Sequence, residues 1–322
     1  MSRLIVRVLV TGGAGFIGSH LVERLLSEGH EVIVLDDLSS GSLRNLSKVR
    51  KDILFVKGDV RCSRDVERAI RGTDCVVHLA ALISVEESFR KPLTYNEVNV
   101  TGTLVLLKAS EHFGVDKFVL ISSCAVYGDP LEVPIKEDHP LRPLSPYAVS
   151  KVAAEGYTRT FEGLRPVILR LFNVYGPRQS PAYAGVITKF AERMLRGDPP
   201  IIYGDGKQTR DFVHVSDVVQ AIMLSLEMKE AGTFNVGTGE EISVNELCEV
   251  MMEIMHFSER PIYGPARRGD IRRSCADISR AREVLGYEPK IQLKDGLRDL
   301  LATLRQNDSN DPKNSPTLRA GE

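Results

Sequence analysis

The chain has 322 residues, 43% of them hydrophobic and 26% charged. At roughly 150 residues per domain, that length fits two domains or one large α/β domain with an appendage, and the composition excludes intrinsic disorder and collagen-like repetition. The 42 Lys plus Arg are matched by 43 Asp plus Glu, a net charge of -1, so the basic excess of a nucleic-acid binder is missing and small or neutral partners are expected.

In chain order, short β-branched runs alternate with longer amphipathic stretches, the pattern of βαβ units around a parallel sheet. Strands are expected at 4–10, 31–35, 53–56, 75–79, 117–121 and 167–171, each nearly continuous in apolar residues because helices cover both faces. Helices are expected at 17–27, 65–71, 96–112 and 146–161. The expected fold class is α/β: a Rossmann-type, doubly wound parallel sheet over residues 1–175, followed by a smaller C-terminal α+β substrate-binding region at 176–304. Helices at 186–196, 215–228, 244–255 and 278–285 belong to that second region, and the polar segment 305–322 is expected to be a disordered tail.

Cys62, Cys75, Cys124, Cys248 and Cys275 form no C-x-x-C pair and no zinc spacing. A reducing, cytoplasmic setting and no metal are therefore expected. The apolar stretch 4–10 is too short for a signal segment, and no run approaches the roughly 20 residues of a membrane span.

Thr11-Gly12-Gly13-Ala14-Gly15-Phe16-Ile17-Gly18 joins the first strand to the first helix. Gly12, Gly15 and Gly18 allow a tight turn and close approach to a pyrophosphate, with the helix N-terminus aimed at the anion. A plain strand-to-helix turn is the competing reading. Asp36 ends the second strand, where a carboxylate accepts from ribose hydroxyls and repels a 2′-phosphate, favouring NAD over NADP. Asp59 and Val60, at the end of the third strand, fall at the adenine edge, or Asp59 merely forms a turn. Tyr147 and Lys151, at i and i+4, share one helix face. A phenol of pKa about 10 is a weak base at neutral pH, and a nearby ammonium favours its phenolate. The serines of Ser122-Ser123-Cys124-Ala125-Val126-Tyr127-Gly128 follow the fifth strand at the carboxyl edge of the sheet, where a hydroxyl can pass a sugar proton to Tyr147 or simply satisfy the strand end. His78 and His214 read as packed structural histidines.

With these motifs, and with HLAA (78–81), LRLFNVYGPRQ (169–179), GDGKQTRDFVHVSD (204–217), FNVGTG (234–239) and RRGDIRRSCADISRA (267–281), the chain resembles the extended short-chain dehydrogenase/reductases. Within them it is most similar to the nucleotide-sugar epimerases typified by UDP-glucose 4-epimerase, over residues 8 to about 301. The resemblance implies that Phe16, Ile17, Asp36, Asp59, Leu79, Ala80, Ala81, Asn99, Tyr147 and Lys151 contact NAD, and that the catalytic hydroxyl is Ser123. It places Asn173, Arg210, Arg267 and Asp270 on the nucleotide diphosphate and its ribose, which suits the planar fork of an arginine. For Arg210 an ion pair with Asp205 or Asp211 is the alternative. Ser84 lies in the loop over the sugar, or caps a helix.

Family members that dehydrate or decarboxylate their sugar carry an acid just after the catalytic hydroxyl, where this chain has Cys124 and Ala125. The expected reaction is therefore 4-epimerisation of a UDP-hexose. The position that gates the sugar's carbon 2 aligns with Ser274, small enough to admit an N-acetyl group. A UDP-glucuronate 4-epimerase and a non-catalytic NAD-sensing scaffold are the competing readings. The resemblance also implies a homodimer paired through helices 96–112 and 146–161 as an isologous four-helix interface.

Overall fold

The computed structural model describes residues 5–179, 185–266 and 271–309. The expected strands are β1 (Arg7–Thr11), β2 (Glu31–Asp36), β3 (Ile53–Lys57), β4 (Cys75–His78), β5 (Lys117–Ser123) and β6 (Val167–Leu171). Between them lie α1 (Phe16–Ser27), α2 (Ser63–Ile70), α3 (Val85–Arg90), α4 (Pro92–Asn96), α5 (Gly102–His112) and α6 (Pro146–Thr160). The helix expected over 96–112 begins earlier, with α4, and runs through to His112 with a π-helical turn at Glu97–Thr101 between α4 and α5.

The rest of the chain forms β7 (Asn173–Tyr175), α7 (Val186–Leu195), β8 (Ile201–Tyr203), β9 (Thr209–Arg210), β10 (Phe212–His214) and α8 (Val215–Glu227). It continues as β11 (Gly232–Val236), β12 (Ile242–Ser243), α9 (Val244–Met255), β13 (Ile262–Gly264) and α10 (Leu293–Ser309). Residues 305–309, expected in a disordered tail, instead continue α10, which docks Leu297, Leu300 and Leu301 into the core.

The central parallel sheet has seven strands, ordered β11-β6-β5-β4-β1-β2-β3. Its seventh strand, β11, pairs with β6 and puts Phe234 beside Leu169 and Val236 beside Leu171. With α8, which packs its apolar face on the same core, it returns the chain beyond residue 175 to the Rossmann layer. Neighbouring residues of β1 enter opposite cores, Val8 and Val10 with α1 and α8, Leu9 with α2 and α5. Burial on both faces is why the strand is apolar throughout. A third cluster, built on Phe190, Leu247, Met251 and Leu297, holds α7, α9 and α10 together as the smaller region. Strand order reverses between β1 and β4, so a crevice opens at their carboxyl ends. Among the described residues no helix is long and apolar enough to cross a membrane.

Candidate active site

Two glycines of the first turn are dictated by space. Gly12 sits at φ +71°, and a Cβ there would lie 2.8 Å from the Ala80 nitrogen at the end of β4. At Gly18 a Cβ would come within 2.2 Å of the Gly12 carbonyl oxygen. Any side chain would therefore open the turn. No side chain caps the first turn of α1, whose N-cap is Gly15, and Phe16 and Ile17 open that helix at the crevice. Such a turn fits the diphosphate of a dinucleotide.

Asp36 is 7% exposed at the end of β2. Its carboxylate accepts from the Ala14 N–H at 2.9 Å and the Leu38 N–H at 2.8 Å. Burial raises its pKa, and those two N–H groups oppose the rise. The carboxylate thus fastens the glycine turn to the end of β2. Asp59 takes the turn-forming role, accepting from the Arg61 backbone N–H at 2.8 Å and pairing with its guanidinium at 2.6 Å. Val60 beside it is buried.

Leu79, Ala80 and Ala81 leave β4 directly opposite the glycines. The Ala80 N–H donates to Thr11 Oγ1 at 3.2 Å, and that hydroxyl also bonds His78 Nδ1 at 2.7 Å. Burial depresses the His78 pKa to about 3, so the ring is a neutral structural bridge. His214 likewise caps α8 and packs edge-on against Tyr175. Asn99, in the π-turn, accepts from Leu82 N–H and donates to Leu82 C=O, both at 2.9 Å, and also donates to Ser150 Oγ at 2.9 Å. Its amide thereby ties the loop after β4 to α6. Ser84, two residues further on, caps α3 by accepting from Glu87 N–H at 3.1 Å.

At the other side of the crevice α6 begins at Ser145, which accepts from Ala148 N–H, with Pro146 as the first helical residue. Tyr147, 7% exposed, stands edge-on to Tyr95 with ring centroids 6.4 Å apart. Ser123, the last residue of β5, stands near enough to the Tyr147 hydroxyl to influence its acidity. Burial pushes the phenol up to about 12, and Ser123 pulls the other way. Burial outweighs the help to the phenolate that is expected from a nearby ammonium. Lys151 is buried beneath, donating from Nζ to the Ile121 carbonyl at 2.8 Å, and burial lowers its pKa to about 8.

Cys124 follows Ser123, and burial pushes its thiol up to about 11, so it stays protonated at neutral pH. Ser274, 4% exposed, and the Arg210 guanidinium both lie close enough to that thiol to act on its acidity. Residues 123, 124, 210 and 274, far apart in the chain, therefore meet at one place. Arg210 Nη1 donates to the carbonyls of Thr209 and Ile271, each at 2.7 Å. Its alternative acid partners are engaged elsewhere: Asp205 with Arg272 at 2.8 Å, and Asp211 with Thr238, Gly239 and Ala276. Arg210 and Asn173 line a cavity of about 460 Å³ together with Gln208 of the same 204–217 motif and with Lys189, Phe190 and Tyr203, contributors that no sequence motif marked. Arg267 and Asp270 lie outside the described residues.

A family profile described as GDP-mannose 4,6 dehydratase matches residues 9–300. UDP-glucose 4-epimerase from Thermotoga maritima, solved with UDP-glucose, has a TM-score of 0.90 at 42% identity, over 94% of this chain and 99% of that one. UDP-N-acetylglucosamine 4-epimerase from Methanobrevibacter ruminantium, in complex with UDP-N-acetylmuramic acid, gives 0.89 at 38% identity, over 94% and 99%. UDP-glucose 4-epimerase from Thermus thermophilus, in complex with NAD, gives 0.86 at 41% identity, over 93% and 99%.

Proposed function

The chain belongs to the GDP-mannose 4,6 dehydratase family of extended short-chain dehydrogenase/reductases, and on that premise we propose that it is an NAD-dependent UDP-hexose 4-epimerase. The observation that carries the reading is the Tyr147–Ser123 contact beside a neutral Cys124, with Lys151 buried under the same helix face. A dehydratase needs a further acid next to Ser123, and neither a protonated thiol nor Ala125 can act as a carboxylate.

In this reading Gly12, Gly15 and Gly18 host the NAD diphosphate, Asp36 faces the adenosine ribose, and Leu79, Ala80 and Ala81 line the cofactor cleft. Asn99 and Ser84 shape the loop over the sugar, and Asp59 and Val60 form the edge of the adenine site. Arg210 and Asn173, at the mouth of their cavity, hold the UDP diphosphate with Arg267 and Asp270. NAD, held by the glycine turn, Asp36 and Leu79–Ala81, would supply the hydride acceptor for sugar carbon 4. Ser123 accepts the 4-hydroxyl proton in a hydrogen bond and hands it to Tyr147, which later gives it back. Because the phenol is pushed up to about 12 by burial, it needs positive charge nearby, and the Lys151 ammonium, one turn along α6, is a cation placed to supply it. Ser274 leaves room beside carbon 2, so both plain and N-acetylated hexoses fit.

The exposed apolar face formed by Phe89 and Leu93 on α3 and α4 and Val149 on α6 supports pairing with a second copy of the chain. The test is one preparation sized by sedimentation and incubated separately with UDP-galactose, UDP-GalNAc and UDP-glucuronate. A dimer that forms the 4-epimers of the first two is expected. Faster turnover of UDP-glucuronate would replace the substrate assignment, and conversion of none would favour the NAD-sensing scaffold.

A further inference from the structure

Tyr147, Lys151 and Glu155 occupy successive turns of α6 and so form one row on its face toward β5. That row grips three consecutive residues of the strand. Tyr147 faces Ser123, Lys151 Nζ donates to Ile121 C=O at 2.8 Å, and Glu155 Oε1 accepts from Ser122 Oγ at 2.6 Å. Glu155 is 0% exposed. Arg170 on β6 donates to it from Nη2 at 2.8 Å and Nε at 3.0 Å, and Arg159 one turn along α6 donates at 2.7 Å. A buried carboxylate is costly even when paired, and an apolar residue would pack the space more cheaply. We propose that Glu155 is a positioning residue for the epimerase site, the anion that keeps Lys151 charged and aligned under Tyr147. Its catalytic meaning rests on the function proposed above.

The surroundings of Lys151 leave this role to Glu155. From β4 it meets His78, which is neutral. Along its own helix stand Tyr147 above and Glu155 below, with Arg159 beyond; Tyr95 of α4 lies behind Tyr147, and Arg170 of β6 lies behind Glu155. Burial disfavours the ammonium, and the charge that opposes this is that of Glu155. Burial works against the Glu155 carboxylate too, but Arg170, Ser122 and Arg159 hold it ionised. The sign follows: without the carboxylate, Lys151 loses its proton at lower pH.

The test titrates the Lys151 ε-carbon resonance in ligand-free protein labelled with [13C]lysine, assigned by its absence in Lys151→Ala. In Glu155→Gln the midpoint is expected to fall by about one pH unit. In Ser122→Ala, which removes a hydrogen bond but keeps the carboxylate, it stays within a few tenths. The alkaline limb of kcat/KM for UDP-galactose moves down with the midpoint in Glu155→Gln alone. An unchanged midpoint in Glu155→Gln, or equal shifts in both variants, overturns the role. If Glu155→Gln does not fold, Arg159→Leu decides: with one cation fewer on the carboxylate the midpoint rises, and an unchanged or lower midpoint overturns the role. Absence of any wild-type turnover would refute the epimerase reading and leave the titration to decide the role of Glu155 independently.

Discussion

Replacing Tyr147 by Phe lowers turnover by about a hundredfold to ten-thousandfold, the range for loss of a positioned acid/base, while NAD and UDP-sugar affinities stay within a few-fold. The substitution keeps the ring that packs edge-on against Tyr95 at 6.4 Å and removes only the hydroxyl that faces Ser123. Loss confined to kcat marks an interaction made in the transition state, whereas a rise in KM alone would mark ground-state binding. Steady-state kinetics with UDP-galactose, alongside calorimetric titration of NAD, separate the two. Turnover within tenfold of wild type would remove Tyr147 from the proton transfer.

The second large effect falls on stability, at Arg170. Its side chain is 3% exposed and pairs with Glu155, itself fully buried, while Nη1 donates to the Tyr127 hydroxyl at 2.9 Å and to Glu137 C=O at 2.8 Å. Arg170→Leu strands most of that carboxylate's charge, with only Arg159 and Ser122 left to hold it. Breaking a buried pair in this way costs about 3–5 kcal/mol. Urea unfolding of the NAD-free protein reads the loss. The double variant Glu155→Leu/Arg170→Leu removes both charges together and is expected to recover most of it. A single variant within about 1 kcal/mol of wild type would show that the pair is not the support described here.

Much of the cofactor half was legible in the sequence because each feature there is local. The glycine turn, the carboxylate at a strand end and the i, i+4 pair on α6 each lie within a few residues of chain. Six strands were legible for the same reason. The seventh, β11, was not, since Gly232 and Asn235 break its apolar run and its pairing with β6 spans the whole length of α8. The π-helical turn at 97–101 was hidden as well, as were the bonds of the Asn99 amide to Leu82 and Ser150, contacts that helical periodicity does not encode. On the substrate side, the meeting of Cys124, Ser274 and Arg210 joins three segments from distant parts of the chain, and family resemblance alone pointed to it. One signal went unread. An arginine inside the apolar run Val167–Leu171, and a glutamate four residues after Lys151, mark a buried ion pair, because neither side chain can enter a core without the other.

In the proposed epimerisation, carbon 4 gives up its hydride and takes the same one back within a single bound complex. The most direct measurement uses UDP-galactose deuterated at carbon 4, incubated with the purified protein and no added reductant, with the product analysed by mass spectrometry and NMR. The expected result is UDP-glucose that retains deuterium at carbon 4, with no net NADH formed. Deuterium lost to solvent, deuterium moved to carbon 6 with a 4-keto-6-deoxy product, or stoichiometric NADH would each contradict it.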